Sequence, residues 1–158
     1  MFLLGNPTPI SVSGGSYTKI GNVAGHVGFA GQWDHNNYTV EDFASGFVRF
    51  SNGASMVIES SFAANLANDV VKNVFLGDKG GAELSPLKIF TERNNTVIDV
   101  TPVGLPEQNF YEMECKAFYK AIREDTEVPV SAVQALNVMK IIDGIYESSE
   151  KGKEISLV

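Results

Sequence analysis

The chain has 158 residues, 44% of them hydrophobic and 20% charged, a balance and length that describe a single globular domain, 1–158, able to bury a core. Its formal net charge is -7, and the 12 lysines and arginines are scattered from Lys19 to Lys153; this excludes the basic stripe of a nucleic-acid binder and the basic patch drawn to anionic membranes. Cys115 is the only cysteine and no apolar run reaches spanning length, which excludes an internal disulfide and a transmembrane helix and points to a reducing, cytoplasmic setting.

The opening "MFLLGNPTPI" has the punctuation of a helix end: an apolar turn, Gly5 suited to a left-handed cap, and Pro7 just beyond. Four residues are too few to make that helix alone, so the segment reads as the close of an element begun in a longer parent. Pro9 to Tyr17 alternates Ile10 and Val12 with polar residues and predicts a strand, broken or bulged at Gly14-Gly15. Gly21 to Gly31 is a glycine-rich connection that leads into a polar loop, "QWDHNNY", around the one tryptophan.

Tyr38 to Phe62 predicts an antiparallel hairpin turned at Ser51-Asn52-Gly53. A left-handed Gly53 in a bulged turn pairs Val48 with Met56 and Gly46 with Ile58 on an apolar face. The other face then carries Ser45, Phe47 and Arg49 against Glu59, Val57 and Ser55, a mixture that is neither clean core nor clean surface. Asp69 to Leu76 predicts another strand, turned by "GDKGG"; Leu87–Arg93 and Thr96–Thr101 predict a hairpin across Asn94-Asn95.

After Pro106 the period changes to that of a helix. From Glu107 to Arg123 the positions Phe110, Met113, Ala117, Ala121 and Tyr111, Cys115, Phe118, Ile122 form an apolar stripe, which places Tyr111, Cys115 and Phe118 in the core. A second helix opens with a capping box at Ser131 and Gln134 and runs to about Lys151, ended by Gly152. Its expected core stripe is Ala135, Val138, Met139, Ile142, Ile145 and Tyr146, and "KEISLV" returns as a short edge strand. Strands first and helices last predict an α+β fold: an open, mainly antiparallel β-sheet with helices packed on one face.

Chemistry is sparse. Gly25, Gly28 and Gly31 lack the spacing of a dinucleotide-binding turn, and no phosphate loop is present. Glu41 and Asp42 are adjacent at the start of a strand and point to opposite faces, so they cap the strand rather than flank a bond. Two histidines without a partner at ligand spacing give no metal site. Trp33, Asp34, His35 and Tyr38 are the candidate substrate-binding residues, because they alone combine aromatic and acid–base groups in one loop. No complete catalytic set emerges from these residues.

In order and spacing, four stretches resemble the C-terminal domain of the Gfo/Idh/MocA oxidoreductases, the family of glucose–fructose oxidoreductase and inositol dehydrogenase. They are "FLLGNPTPISVSG", "YTVEDFASGFVRFSNGASMVIESSF", "FLGDKGGAEL" and the helical segment from Phe110 to Leu157. The resemblance implies a two-domain enzyme that passes hydride between NAD or NADP and a hydroxyl of a sugar, inositol or related polyol. It places the dinucleotide, a Glu-Lys-Pro motif with the catalytic lysine, and the catalytic aspartate and histidine upstream of Met1. No residue of this chain inherits those roles; His35 lies in a different part of the pattern. The chain alone is therefore expected to bind no cofactor and to be inactive. The resemblance further implies that the open sheet face joins subunits of a homo-oligomer, through Phe47, Arg49, Val57 and Glu59. The rival expectation is a stand-alone α+β ligand-binding or scaffolding protein without redox activity.

Overall fold

A computed structural model describes residues 1–26 and 31–158, so part of the glycine-rich connection expected over Gly21 to Gly31 lies outside the described residues. The chain divides into two compact units. The first comprises residues 1–65 and 118–158, and the second residues 66–117.

Four strands form the sheet of the first unit: β1 (Pro9–Tyr17), β2 (Phe43–Phe50), β3 (Ser55–Ser61) and a short β8 (Ile155–Ser156), in the order β3-β2-β1-β8. The β2–β3 hairpin has the register that the sorting of faces predicts. Val48 opposes Met56, Gly46 opposes Ile58 and Phe47 opposes Val57, and Gly53 takes a φ of 85° in the turn. The alternation leaves little choice, since a one-residue slip would carry Val48 and Met56 to the open face. The irregularity of β1 lies between Pro9 and Ser11 rather than at Gly14-Gly15, where both glycines pair regularly with Gly46 and Ser45.

Helix α2 (Ala132–Lys151) covers one face of this sheet. Its ends are as expected: Ser131 and Gln134 form the reciprocal capping box, and Gly152 closes the helix in the left-handed conformation at φ 62°. The buried face, however, is Ile141, Gly144, Ile145 and Ser148. Of the expected stripe only Ile145 belongs to it, while Val138, Met139, Ile142 and Tyr146 remain exposed. The helix is thus turned by about one residue, roughly 100°. Gly144 and Ser148 explain the turn. A Cβ on Gly144 would lie 2.5 Å from Val12 Cγ1, so its absence lets the helix axis approach β1 closely. Ser148 Oγ accepts the Gly14 N–H at 2.9 Å and donates to the Lys153 carbonyl at 2.7 Å. Ser149 Oγ accepts the Ser16 N–H at 3.0 Å. Past the end of two-residue β8, these serines satisfy the edge of β1 that would otherwise lack partners. Val12, Val48, Phe50, Ile141, Ile145 and Ile155 form the core between sheet and helix.

The second unit holds another antiparallel sheet, β4 (Val74–Gly77), β5 (Gly80–Leu84), β6 (Leu87–Arg93) and β7 (Thr96–Val100), in sequential order. The strand run predicted as one sheet is therefore two sheets of four strands. The expected strand from Asp69 is confined to Val74–Gly77, and most of "GDKGG" is not loop but the end of β4 and the start of β5. Asn94 and Asn95 both adopt positive φ, 54° and 58°, as the tight β6–β7 turn requires.

Helix α1 (Phe110–Glu124) runs across the division between the units and buries only Ala121. Asn109 Oδ1 caps it by accepting the Glu112 N–H at 3.1 Å. Tyr111, Phe118 and Cys115 are exposed, against the expectation of a core stripe; Tyr111 is 83% accessible. The period correctly gives an apolar face but cannot say whether a partner element covers it. At the amino end a short 3₁₀ turn, Phe2–Leu4, is closed by Gly5 at φ 78°, the conformation its punctuation predicts.

Candidate functional site

The polar loop and the start of β2 form one corner of the first unit. Asp42, 2% exposed, turns its carboxylate back over the chain that follows β1. One oxygen, Oδ2, accepts the backbone N–H groups of Lys19, Ile20 and Gly21 at 2.6, 2.6 and 3.0 Å. Burial pushes its pKa up, but these three hydrogen bonds outweigh burial and hold the carboxyl below its usual value. Glu41 faces the other way and accepts the Tyr146 hydroxyl at 2.8 Å. The two adjacent carboxylates therefore hold separate parts of the fold, as expected of capping groups.

The candidate loop residues separate into two pairs. Trp33 and Tyr38 come together: the Trp33 indole N–H donates to the Gly21 carbonyl at 2.7 Å, and the two rings lie 5.9 Å apart. Phe62 completes an aromatic corner, edge-on to Trp33 at 5.3 Å and 6.3 Å from Tyr38. His26 lies 6.3 Å from Trp33. Asp34, by contrast, is engaged by its own turn. Its carboxylate accepts the Asn36 N–H at 3.0 Å and the Asn37 side-chain amide at 2.6 Å, and those bonds lower its pKa. His35 sits in that turn, half-buried, with no hydrogen bond to Asp34 among the described residues. The Tyr38 hydroxyl donates to the Glu41 carbonyl at 3.2 Å, and its pKa is raised first by burial and then by the neighbouring Asp42 and Glu41 charges.

Beside the aromatic corner lies an open pocket of about 190 Å³, lined by Glu41, Asp42, Ser60, Ser61 and Phe62. The serines and Glu41 of this lining could serve a neutral, hydroxyl-bearing molecule, while the Asp42 carboxylate is already engaged by the Lys19–Gly21 turn. Phe62, Ser60 and Ser61 were not legible as site residues because they close an ordinary-looking strand. The only signal was their pairing distance from Phe43 and Ala44, since Phe43 opposes Ser61 and Ala44 opposes Ser60.

The described strands pair antiparallel throughout, and no strand leads straight into a helix on a glycine-rich turn. The strand–turn–helix unit that commonly cradles a dinucleotide pyrophosphate is therefore not seen among the described residues. No cluster of three or more His, Cys, Asp or Glu among the described residues could hold a metal ion. No helix among them is long and apolar enough to cross a membrane.

Antiparallel sheets with α2 packed on one of them define an α+β fold. Residues 1–157 match the family described as the oxidoreductase family, C-terminal alpha/beta domain, and the chain belongs to this Gfo/Idh/MocA family. The chain is 32% identical over 158 residues to D-glucoside 3-dehydrogenase of Escherichia coli K12, covering 99% of this chain and 45% of that protein. It thus spans less than half of the curated relative it matches. Levoglucosan dehydrogenase, solved with NADH and levoglucosan, shares the fold with a TM-score of 0.74 at 20% identity, over 95% of this chain and 45% of that one. Aldose–aldose oxidoreductase from Caulobacter crescentus, solved with glycerol, gives a TM-score of 0.70 at 18% identity, over 97% and 42% of the two chains.

Proposed function

We propose that this chain is the substrate-side domain of an NAD(P)-dependent oxidoreductase acting on a hydroxyl of a sugar, inositol or related polyol. The observation that carries this reading is the 32% identity to a D-glucoside 3-dehydrogenase across 99% of the chain. On this reading the cofactor and the proton-transferring residues belong to another domain and the chain alone is inactive, which is supported by its covering only 45% of that dehydrogenase. Its part is to shape the pocket. The corner of Trp33, Tyr38 and Phe62 offers ring faces to the C–H side of a sugar, and the pocket beside it offers Glu41 and Ser60 to hydroxyls. Asp34 and His35 follow Trp33 directly in the chain and are its neighbouring polar groups, Asp34 holding the turn that carries His35.

The open face of the first sheet is the subunit-joining surface of this reading. Phe47 and Val57 lie opposite one another on it, 36% and 71% exposed, and Arg49 stands 5.0 Å over the Phe47 ring. Glu59 pairs with Ser45 along the same face.

The test is oxidation of D-glucosides and free polyols by a two-domain protein that contains this chain, followed by NAD(P)H absorbance. Turnover with the two-domain protein and none with the chain alone supports the reading. A two-domain protein inert toward every sugar, with the chain binding a ligand by itself, supports the stand-alone binding protein instead.

A further inference from the structure

Three successive backbone N–H groups converge on one buried oxygen, Asp42 Oδ2. Such an arrangement fixes the Lys19–Gly21 turn more firmly than any single hydrogen bond, because each bond is charge-assisted and the acceptor is shielded from water. The same turn is the seat of the aromatic corner. Gly21 presents its carbonyl to the Trp33 indole, and its bare Cα lies against the Tyr38 ring, where a Cβ would overlap ring carbons. Asp42 also reaches the other side of the corner. Its backbone carbonyl accepts the Phe62 N–H at 3.0 Å and the Ser61 hydroxyl at 2.8 Å.

We infer that Asp42 is the positioning residue of the Trp33 loop: its side chain holds the turn on which Trp33 and Tyr38 rest, and its carbonyl holds Phe62 against them. Asp42 touches no substrate in this account. It sets the spacing of the three rings that do, and so it rests on the sugar-facing reading of that corner given above.

The test uses Asp42→Asn, which keeps the shape and removes the charge, with the one tryptophan as reporter. Loosening of the turn exposes the Lys19–Ile20 bond, so trypsin cleaves there about ten-fold faster or more, while cleavage at Lys140 and Lys151 within α2 is unchanged. Trp33 emission moves to the red and acrylamide quenches it more strongly. An unchanged Lys19 cleavage rate together with unchanged emission overturns the inference. Should the variant unfold, hydrogen exchange in the unaltered chain decides. Protected Lys19, Ile20 and Gly21 amides support the anchor, and exchange at the rate of an unstructured peptide overturns it. Titration with a D-glucoside addresses the underlying reading separately. A shift of Trp33 emission that is lost in Asp42→Asn supports both, whereas no shift in the unaltered chain overturns the sugar-facing reading alone, the anchor then standing or falling on the Lys19 cleavage.

Discussion

Asp42 shows how one side chain can decide a loop. Its carboxyl is a stronger acid in the folded chain than its ordinary value of 3.8, so the folded state binds fewer protons than the unfolded one near that pH. The stability it contributes is present above that value and is lost as pH falls through the lower folded value. Asp42→Ala should therefore cost about 2 kcal/mol at neutral pH, the scale of hydrogen bonds to a buried charge. It should also flatten the acid limb of urea unfolding between pH 5 and 2 (roughly, the window in which an aspartate titrates). An acid limb as steep as that of the unaltered chain would assign the effect to other groups. Cys115 makes the opposite point. Its place in an apolar stripe suggested a buried thiol, yet it is exposed on α1. Ellman's reagent should therefore titrate it in the native chain without denaturant, and a thiol that reacts only on unfolding would contradict the exposed placement. Spacing alone could place Asp42 at the start of a strand. It could not reveal that Lys19, Ile20 and Gly21 would fold back onto it, because that contact spans more than twenty residues of loop.

At the scale of elements, what was legible is what local chemistry dictates. The hairpin register followed from Val48 and Met56 needing the same face, and the α2 ends from Ser131, Gln134 and Gly152. The face of α2 was misread because its contact surface is made of Gly144 and Ser148, which a search for large apolar residues passes over. Of the strands from Val74 on, β4, β6 and β7 were legible singly and β5 was not, because it opens on the glycines of "GDKGG"; nothing local separates one sheet from two. Gly144 gives a test in which two effects have opposite signs. In an exposed mid-helix position, Gly→Ala stabilises by about 1 kcal/mol. Here the new Cβ meets Val12 Cγ1 at 2.5 Å and Leu157 Cδ2 at 2.9 Å in a packed core. Overpacking of that kind costs about 1–3 kcal/mol, so Gly144→Ala should be destabilising overall by thermal or urea unfolding. A stabilised variant would mean that α2 does not lie so close to β1.

For the molecule as a whole, the proposed function gives the open sheet face and the aromatic corner different tasks. If Phe47 and Val57 join subunits, Phe47→Asp should shift the species toward monomer in light scattering while leaving the helix and sheet signals intact. A mass unchanged by the substitution would remove the face from the account. Of the candidate loop residues, Trp33 and Tyr38 pack together while Asp34 caps its own turn; that turn was not legible, because the capping amides of Asn36 and Asn37 read as ordinary loop residues. The claim on which the rest depends is a division of labour, with sugar recognition in this chain and nicotinamide chemistry in another domain. Calorimetric titration of the isolated chain with NADH and NADPH tests it most directly. The account predicts no binding heat for either, and saturable micromolar binding of one of them would contradict it.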